Sequence, residues 1–151
     1  MERTLVLIKP DGVQRALTGE IISRLERRGL KIIGGKFMQV SMELAEAHYG
    51  EHVGKSFYNG LVKYITSSPL MALVLEGPEA IAVVRQTMGA TNPAEADPGT
   101  VRHDFGLITS RNLTHASANE ADAKREIELW FKEDELFDWM QANDHWILGK
   151  N

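Results

Sequence analysis

The sequence contains no cysteine, which excludes disulfide bonds, thiolate catalysis and cysteine-based zinc sites. Long hydrophobic runs are also missing, since stretches such as "LVLI" and "MALVL" are far too short to span a bilayer. No charged-then-apolar leader follows Met1, so the sequence predicts no signal peptide. These absences favour a cytoplasmic protein that does not bind membranes.

An excess of basic charge is lacking as well, because the formal net charge is −4. Proteins that coat nucleic acid usually present a basic face, so no stable nucleic-acid partner is expected. A small anion is still a possible ligand, because a few cations in one cleft suffice to bind it. The length of 151 residues, with 43% hydrophobic and 25% charged residues, predicts a single globular domain covering 1–151.

Short apolar runs alternate with helical signals along the chain. Strands are predicted at 4–10, 30–40, 70–77 and 112–116, and helices from about 18 and at 41–48, 57–66, 78–88 and 120–131. The stretch "DGVQ" is predicted as a turn, 89–111 as a long functional loop, and 138–151 as an irregular tail. Ser41 and Asn119 are predicted helix N-caps, and Gly34 and Gly35 predict a bulge or a close backbone approach.

This order of elements predicts an α+β fold. Four strands joined by crossover helices are typical of a ferredoxin-like βαββαβ sandwich, in which a four-stranded antiparallel sheet carries helices on one face. Such a fold has many unrelated functions, so the function has to be argued from individual residues.

Cationic residues collect in and around the predicted loop. Arg85, Arg102 and Arg111 are interleaved with threonines, glycines and prolines, and Lys9 closes the first strand. Arginine forks match phosphate oxygens with two hydrogen bonds, and threonine hydroxyls add neutral donors. The spacing alone fits an anion-binding loop, with phosphate as one candidate, but it also fits solvated surface charges.

His115 lies in the stretch "NLTHASAN" (112–119), followed by small and polar residues. A neutral imidazole is a competent nucleophile near physiological pH and can carry a phosphoryl group covalently. That chemistry needs an acceptor that fixes the ring and cations around the phosphoryl oxygens. Glu126, one helix further on, is a candidate acceptor. The pattern fits a surface glutamate equally well, and His115 itself also fits a half-buried histidine with one hydrogen bond.

Four stretches resemble the nucleoside diphosphate kinase family in one register: "ERTLVLIKPDGVQR" (2–15), "GLVKYITSSP" (60–69), "GATNPAEADPGTVR" (89–102) and "RNLTHAS" (111–117). The resemblance implies a ping-pong enzyme that moves a γ-phosphoryl group from a nucleoside triphosphate to a histidine, and then to a nucleoside diphosphate. It implies Mg²⁺ carried by the nucleotide phosphates, without protein side chains as metal ligands. The tail, with "WFKEDELFDW" and "HWI", resembles the longer archaeal and eukaryotic members rather than the shorter bacterial ones.

The resemblance also assigns roles to single residues. It makes His115 the phosphorylated histidine, Glu126 the residue that holds it, Ser117 the partner of Glu126, and Tyr49 a neighbour of the histidine. The implied nucleotide ligands are Lys9 and Asn112 at the ribose hydroxyls and the phosphate end, Arg85, Thr91 and Arg102 at the phosphates, His52 at the α-phosphate, and Phe57 under the base. Stacking on an aromatic ring reads a π-face rather than base edges, which fits the family's indifference to the base.

The sequence departs from the family pattern near these residues. Ala118 stands in place of an aspartate, Asn119 in place of a serine, and His103 in place of a glycine. His103 would be strained if its position required a positive φ. Because the histidine, the glutamate and the phosphate arginines are retained, an active enzyme is expected. The family forms homo-oligomers, and the long tail favours a hexamer over a tetramer or a dimer.

Two other interpretations are a family member that binds nucleotide without turnover and an RNA-binding module. A member that binds nucleotide without turnover would lack His115, Glu126 or Lys9, and all three are present. A ferredoxin-like RNA-binding module would present aromatic residues on an exposed sheet face and a basic surface. The central stretches "KIIGGKFMQV" and "LMALVLEG" carry one aromatic residue between them, and the net charge is negative.

Overall fold

The computed structural model describes residues 1–149 and contains one four-stranded sheet. Its strands are β1 (Glu2–Ile8), β2 (Lys31–Met38), β3 (Leu70–Gly77) and β4 (Thr114–Ala116). The spatial order is β2-β3-β1-β4, and every neighbouring pair is antiparallel. The predicted α+β class and the ferredoxin-like sheet are confirmed.

Eight α-helices accompany the sheet in the described part of the chain: α1 (Pro10–Gln14), α2 (Thr18–Arg27), α3 (Met42–His48), α4 (Tyr58–Ile65), α5 (Ala80–Met88), α6 (Val101–Phe105), α7 (Glu120–Trp130) and α8 (Asp144–Leu148). Both predicted N-caps are present. The Ser41 side chain accepts the Leu44 N–H at 3.1 Å, and Asn119 Oδ1 accepts the Asp122 N–H at 2.8 Å. Within residues 1–149 no helix has the length and hydrophobicity needed to cross a membrane.

Helices cover both faces of the sheet, so the expected covering of one face is wrong. Leu5 and Leu7 of β1 belong to a core with α3, α4 and α7, whereas Val6 and Ile8 belong to a core with α2 and α5. Successive side chains of a strand point to opposite faces. Since these four consecutive residues are all fully buried, both faces must be covered.

Short helices occur where a turn, a loop and an irregular tail were predicted. Pro10 begins α1, because its fixed φ and missing N–H suit the first helical turn. The predicted loop 89–111 contains α6 and 3₁₀ turns at Pro93–Glu95 and Thr109–Arg111. The tail contains α8, and residues 150 and 151 of the predicted tail lie outside the described residues.

The start of α5 depends on a contact that the local sequence does not reveal. The helix begins at Ala80 rather than at Pro78, because Glu79 has a φ of 50°. The Glu2 carboxylate accepts the Ile81 N–H at 2.8 Å and so caps α5 from the first strand. A side chain 79 positions away therefore sets this helix boundary.

Gly34 shows both features that were predicted as alternatives for the glycines of β2, a bulge and a close backbone approach. The register of β2 against β3 shifts between Ile32 and Gly34, which marks a bulge. A Cβ atom on Gly34 would lie 2.7 Å from the Leu136 side chain and 3.1 Å from the Glu135 carbonyl oxygen. The segment after α7 therefore crosses the sheet closely at this glycine.

Candidate active site

A histidine, a glutamate and a serine meet where β4 lies beside α7. His115 Nε2 lies 2.9 Å from Glu126 Oε1, and the Ser117 hydroxyl donates to the same oxygen at 2.7 Å. Ser117 Oγ also accepts the Leu5 N–H at 3.2 Å, which ties the group to β1. An ionised carboxylate is an acceptor only, so the Nε2 atom of His115 carries the hydrogen. The Nδ1 atom is then the ring nitrogen that Glu126 leaves free.

The Glu126 side chain is ionised although it is 4% exposed. Burial opposes ionisation of this carboxyl, but the hydrogen bond and charge of His115 and the hydrogen bond of Ser117 outweigh burial, and the pKa of Glu126 is lowered. The helix α7 places Glu126 on the same buried face as Ala123 and Trp130, at spacings of three and four residues. The acceptor is thus held by regular structure.

A second histidine, which the sequence prediction passed over, packs against His115. The ring of His48 lies 4.7 Å from the ring of His115, nearly perpendicular to it. Trp130 donates its indole N–H to His48 Nδ1 at 3.0 Å. Burial, and then the charge on His115, lower the pKa of His48 to about 3. His48 is therefore uncharged at neutral pH and packs against the imidazole of His115. In the sequence, only its position just before Tyr49 pointed to it.

Tyr49 packs against the same second histidine, His48. Its ring is 4.8 Å from the ring of His48, and it is also near the ring of His52, at 6.3 Å. Burial, and then the charge of Glu126, raise the pKa of Tyr49 to about 12. Its hydroxyl is therefore protonated at neutral pH.

Lys9 follows β1 directly and meets residues from the predicted loop. Its Nζ donates to Asn112 Oδ1 at 2.8 Å, and Asn112 Nδ2 donates to the Thr91 carbonyl oxygen at 3.0 Å. Burial, and then the charge of Arg102, lower the pKa of Lys9 to about 8. Three of the predicted site residues are thus joined in one chain of hydrogen bonds.

Arg102 is buried and binds backbone at the start of the predicted loop and in the strand that follows the loop. Its guanidinium donates to the carbonyl oxygens of Gly89 at 2.9 Å, Asn112 at 3.2 Å and Thr114 at 2.7 Å. Burial, and then the charge of Arg85, lower the pKa of Arg102 to about 10, so it remains charged at neutral pH. Three of its five N–H donors are used in this way, a structural role that the sequence prediction missed.

Arg85 differs from Arg102 in exposure and in contacts. Its side chain is exposed, and its contact with the Ala116 carbonyl oxygen is long, at 3.4 Å. Arg85, Arg102 and Thr91 line a cavity of about 850 Å³ that also reaches Ala118. Most of the donors of Arg85 therefore face open space.

Another cavity lies along α4. It has a volume of about 500 Å³ and is lined in part by Phe57, Tyr64, Ser110 and Arg111. The Phe57 ring is 49% exposed and lies 5.3 Å from the ring of His52. His115 lines neither of these two cavities. The predicted nucleotide ligands are therefore distributed along a cleft rather than gathered in one pocket.

The residue that was a candidate for strain, His103, is relaxed. It lies within α6, and the non-glycine residues with positive φ in the described chain are Ala16, Glu79 and Leu113. Its Nδ1 lies 2.9 Å from the Ala96 carbonyl oxygen. A side chain at this position therefore fits without distortion of the turn.

One group of potential metal ligands occurs among residues 1–149. The ligand atoms of His48, His115 and Glu126 lie within 4.8 Å of one another. Mg²⁺ prefers an octahedron of oxygen atoms, whereas this group offers two imidazoles. The Oε1 atom of Glu126 is also already bonded to His115 and Ser117. The group does not fit Mg²⁺.

Comparisons with known proteins identify the family of this chain. The model of the family "Nucleoside diphosphate kinase" matches residues 2–136. A nucleoside diphosphate kinase of Staphylococcus aureus is 56% identical over 147 residues, which cover 97% of this chain and 99% of the relative. The chain therefore belongs to the nucleoside diphosphate kinase family, and the RNA-binding interpretation is set aside.

Two solved structures have the same fold over nearly the whole chain. A halophilic nucleoside diphosphate kinase from Halobacterium salinarum, in complex with CDP, has a TM-score of 0.94 and 51% identity and covers 97% of each chain. A transition state mimic of the Borrelia burgdorferi enzyme, with bound vanadate and ADP, has a TM-score of 0.93 and 41% identity, and covers 97% of this chain and 96% of that one.

The length of the tail does not distinguish the archaeal and eukaryotic members from the bacterial ones. The Staphylococcus aureus relative is matched over 99% of its own length by 147 residues of this chain. A bacterial member of almost the same length therefore exists, and the predicted contrast with shorter bacterial tails does not apply to it.

Proposed function

We propose that this chain transfers the γ-phosphoryl group of a nucleoside triphosphate to a nucleoside diphosphate, with His115 as the covalent carrier. The observation that carries this proposal is the 2.9 Å contact of His115 Nε2 with the buried Glu126 carboxylate. A neutral imidazole that carries its hydrogen on Nε2 has its lone pair on Nδ1. That lone pair is the nucleophile.

The transfer has two half-reactions. The lone pair of Nδ1 forms a bond to the γ-phosphorus, the bond from phosphorus to the bridging oxygen breaks, and the diphosphate leaves with that electron pair. The imidazole becomes positively charged, and the Glu126 carboxylate stabilises this charge through Nε2–H. A terminal oxygen of a second nucleoside diphosphate then attacks the phosphohistidine, which restores the neutral ring.

Charge on the phosphates would be neutralised by cations and neutral donors outside the group formed by His115, Glu126 and Ser117. The cations Lys9, Arg85 and Arg102 and the neutral donors of Thr91 and Asn112 fit this role, because phosphoryl transfer depends mainly on positioning and on electrostatic stabilisation. The five residues include no carboxylate. Mg²⁺ would therefore be held by phosphate oxygens and water, where it supplies further charge neutralisation. The vanadate and ADP bound to the Borrelia burgdorferi relative support a phosphate site of this kind.

The nucleoside would occupy the cavity along α4. The exposed face of Phe57 is available for stacking, and His52 beside it is placed for the α-phosphate. A stacked base is recognised by its π-face, so several bases are accepted. The CDP bound to the Halobacterium salinarum relative supports a nucleotide as the ligand.

The assembly is proposed to be a homo-oligomer, with a hexamer favoured over a tetramer or a dimer, in a cytoplasmic protein whose single domain covers 1–151. Large apolar side chains of the tail are exposed, with Trp146 82%, Met140 89% and Phe137 63% accessible. Exposed apolar surface of this kind is typical of protein–protein contacts. Sedimentation equilibrium would distinguish the three assemblies.

An intact-mass experiment tests the covalent carrier. The protein is mixed briefly with ATP and Mg²⁺ at neutral pH, and GDP is then added. We expect one acid-labile phosphoryl adduct that GDP discharges as GTP, and no adduct in the His115→Ala variant. If ATP binds but no adduct forms in the unmodified protein, the chain is a nucleotide-binding member without turnover. An adduct in His115→Ala would place the carrier elsewhere.

A further inference from the structure

A strained turn lies between two residues of the proposed site. The Thr114 N–H donates to the Asn112 carbonyl oxygen at 2.8 Å, and Leu113 between them has a φ of 75°. A γ-turn whose central residue has a positive φ is rare and strained. Leu113 is a fully buried leucine, which has no intrinsic preference for this conformation. Other contacts must therefore hold the turn in place.

Asp11 of α1 supplies the contact at the centre of the turn. One oxygen of its carboxylate accepts the Leu113 N–H at 3.1 Å, and the other accepts the Tyr64 hydroxyl. The carbonyl oxygen of Leu113 accepts the Lys9 N–H at 2.8 Å. Both backbone groups of the strained residue are thus bonded, and Asp11 is the only side chain that takes part in these two bonds.

The ends of the turn carry the reactive part of the site. Asn112 precedes the strained residue and binds Lys9 Nζ at 2.8 Å. His115 directly follows Thr114, the last residue of the turn. If Leu113 relaxed to a negative φ, the Asn112 side chain and the start of β4 would rotate relative to each other. The conformation of one leucine therefore couples the phosphate ligands to the histidine.

We propose that Asp11 is a positioning residue for phosphoryl transfer: held by Tyr64, its carboxylate keeps Leu113 in the γ-turn and so fixes Asn112 and His115 relative to each other. The proposal rests on the function proposed above. Tyr64 is a stable donor, because burial and the bond to Asp11 raise its pKa. Asp11 itself does not touch the reacting atoms.

The test compares Asp11→Ala with the conservative Asp11→Asn. Alanine removes both hydrogen bonds, and we expect kcat to fall between about tenfold and 100-fold, as small misplacements of reacting groups do. Asparagine can accept the Leu113 N–H through its amide oxygen and donate to the Tyr64 oxygen through its amino group, so we expect most of kcat to return. Asp134→Ala, an exposed carboxylate outside the site, is the matched control and should leave kcat unchanged.

Two outcomes of this comparison would overturn the proposal. One is a loss in Asp11→Ala that is fully explained by a smaller folded fraction, measured by circular dichroism at the assay temperature. The other is an Asp11→Asn variant as impaired as Asp11→Ala.

A double-mutant cycle with Leu113→Gly addresses the strain itself. Glycine adopts a positive φ without strain, so the turn would no longer depend on the carboxylate. We expect Asp11→Ala to lower kcat much less in the Leu113→Gly background than in the unmodified chain. An equal loss in both backgrounds would contradict a role in holding Leu113.

A measurement that does not require turnover distinguishes a failure of this proposal from a failure of the proposed function. We expect the ring ¹⁵N–¹H resonances of His115 to shift in Asp11→Ala and to return in Asp11→Asn. If the unmodified protein formed no phosphohistidine, the proposed function would fail, and these resonances would still decide the role of Asp11. Unshifted resonances in Asp11→Ala would overturn the positioning role even in an active enzyme.

Discussion

The candidate active site has two sides that are built in different ways, one around the His115 imidazole and one around the proposed phosphate ligands. On the imidazole side, His115 lies on β4, which pairs with β1, and Glu126 lies within the helix α7; the Thr114 carbonyl oxygen at the start of β4 accepts from Arg102. On the phosphate side, Thr91 and Asn112 lie on largely irregular chain, which Arg102 holds through three carbonyl oxygens. Buried backbone groups must find partners somewhere, and here side chains of the site supply them.

The difference separates two kinds of residue. On the imidazole side, the side-chain hydrogen bonds described for His115 and Glu126 are to other side chains only, so these two residues can act on a substrate without holding the backbone. The Ser117 hydroxyl, which accepts the Leu5 N–H, is the exception. On the phosphate side Arg102 supports the fold and is also one of the proposed phosphate ligands. Substitutions of His115 or Glu126 should therefore reduce activity alone, whereas some substitutions on the phosphate side should reduce activity and stability together.

The largest effect on the imidazole side, apart from loss of His115, is expected for Glu126→Gln. Glutamine keeps an oxygen for His115 Nε2–H and for the Ser117 hydroxyl but removes the negative charge. We expect kcat to fall by about 10²-fold, because the charge on the phosphorylated imidazole is no longer stabilised, with little change in stability. Glu128→Gln, an exposed position on the same helix, is the control. Steady-state kinetics that show an unchanged kcat for Glu126→Gln would remove this residue from the mechanism.

On the phosphate side, Arg102→Ala and Arg85→Ala should differ in stability. Removal of Arg102 takes one donor from each of three carbonyl oxygens, of which that of Asn112 keeps the Thr114 N–H, and we expect the free energy of unfolding to fall by about 3 kcal/mol. Arg85 is exposed, so its loss should change the free energy of unfolding by less than about 0.5 kcal/mol. KM should rise in both variants. Equal losses of stability in urea denaturation would refute the division of roles between the two arginines.

The pH dependence of kcat/KM should reveal Lys9. Because burial and Arg102 lower the pKa of Lys9 to about 8, kcat/KM should decline above that pH as the free enzyme loses this charge. Lys9→Arg should move the decline to higher pH, since a guanidinium remains protonated. A profile that is the same in both proteins would show that another group causes the decline.

Deprotonation of Lys9, which should lower kcat/KM, should increase the stability of the fold. Between pH 8 and the ordinary Lys pKa of 10.5, the unfolded chain binds the proton that the folded chain has lost. The contribution of Lys9 to the free energy of unfolding of the nucleotide-free protein therefore rises with pH in this window. Thermal unfolding at several pH values should show this rise in the unmodified protein and not in Lys9→Met.

The smallest effect is expected at Asn119, where the family usually has serine. Asn119→Ala removes the N-cap of α7 and should lower the free energy of unfolding by about 1 kcal/mol. Asn119→Ser should restore it, because a hydroxyl can accept the same N–H. Since α7 still places Glu126, kcat should not change. A parallel loss of kcat would show that the cap is part of the catalytic site.

Much of the imidazole side could be predicted, because local patterns report on regular structure. The apolar runs of β1 and β3 and the caps at Ser41 and Asn119 are visible within a few residues of sequence. The resemblance of "RNLTHAS" to the family predicts His115 as the phosphorylated histidine without any knowledge of the fold, and this role stays a prediction. The pairing with Glu126 and Ser117 follows from the same resemblance and agrees with the contacts observed.

What could not be predicted depends on contacts between distant residues. Ser117 meets Leu5 across 112 positions, and Asp11 meets Leu113 across 102. Neither contact leaves a periodic signal in the sequence. The same reason explains why His48 was passed over, because its partner Trp130 is 82 positions away. The covering of both sheet faces was missed for a different reason. The apolar run from Leu5 to Ile8 is continuous, which is typical of a strand buried on both faces, but the prediction placed helices on one face only.

The most direct test of the imidazole side is to determine which nitrogen of His115 carries the phosphoryl group. The ¹⁵N-labelled protein is phosphorylated with ATP and Mg²⁺, and the ³¹P–¹⁵N couplings are measured by NMR at a pH where phosphohistidine is stable. We expect the phosphorus to be bonded to Nδ1, because Glu126 occupies Nε2. A phosphorus bonded to Nε2 would contradict the central claim that Glu126 orients the ring for transfer.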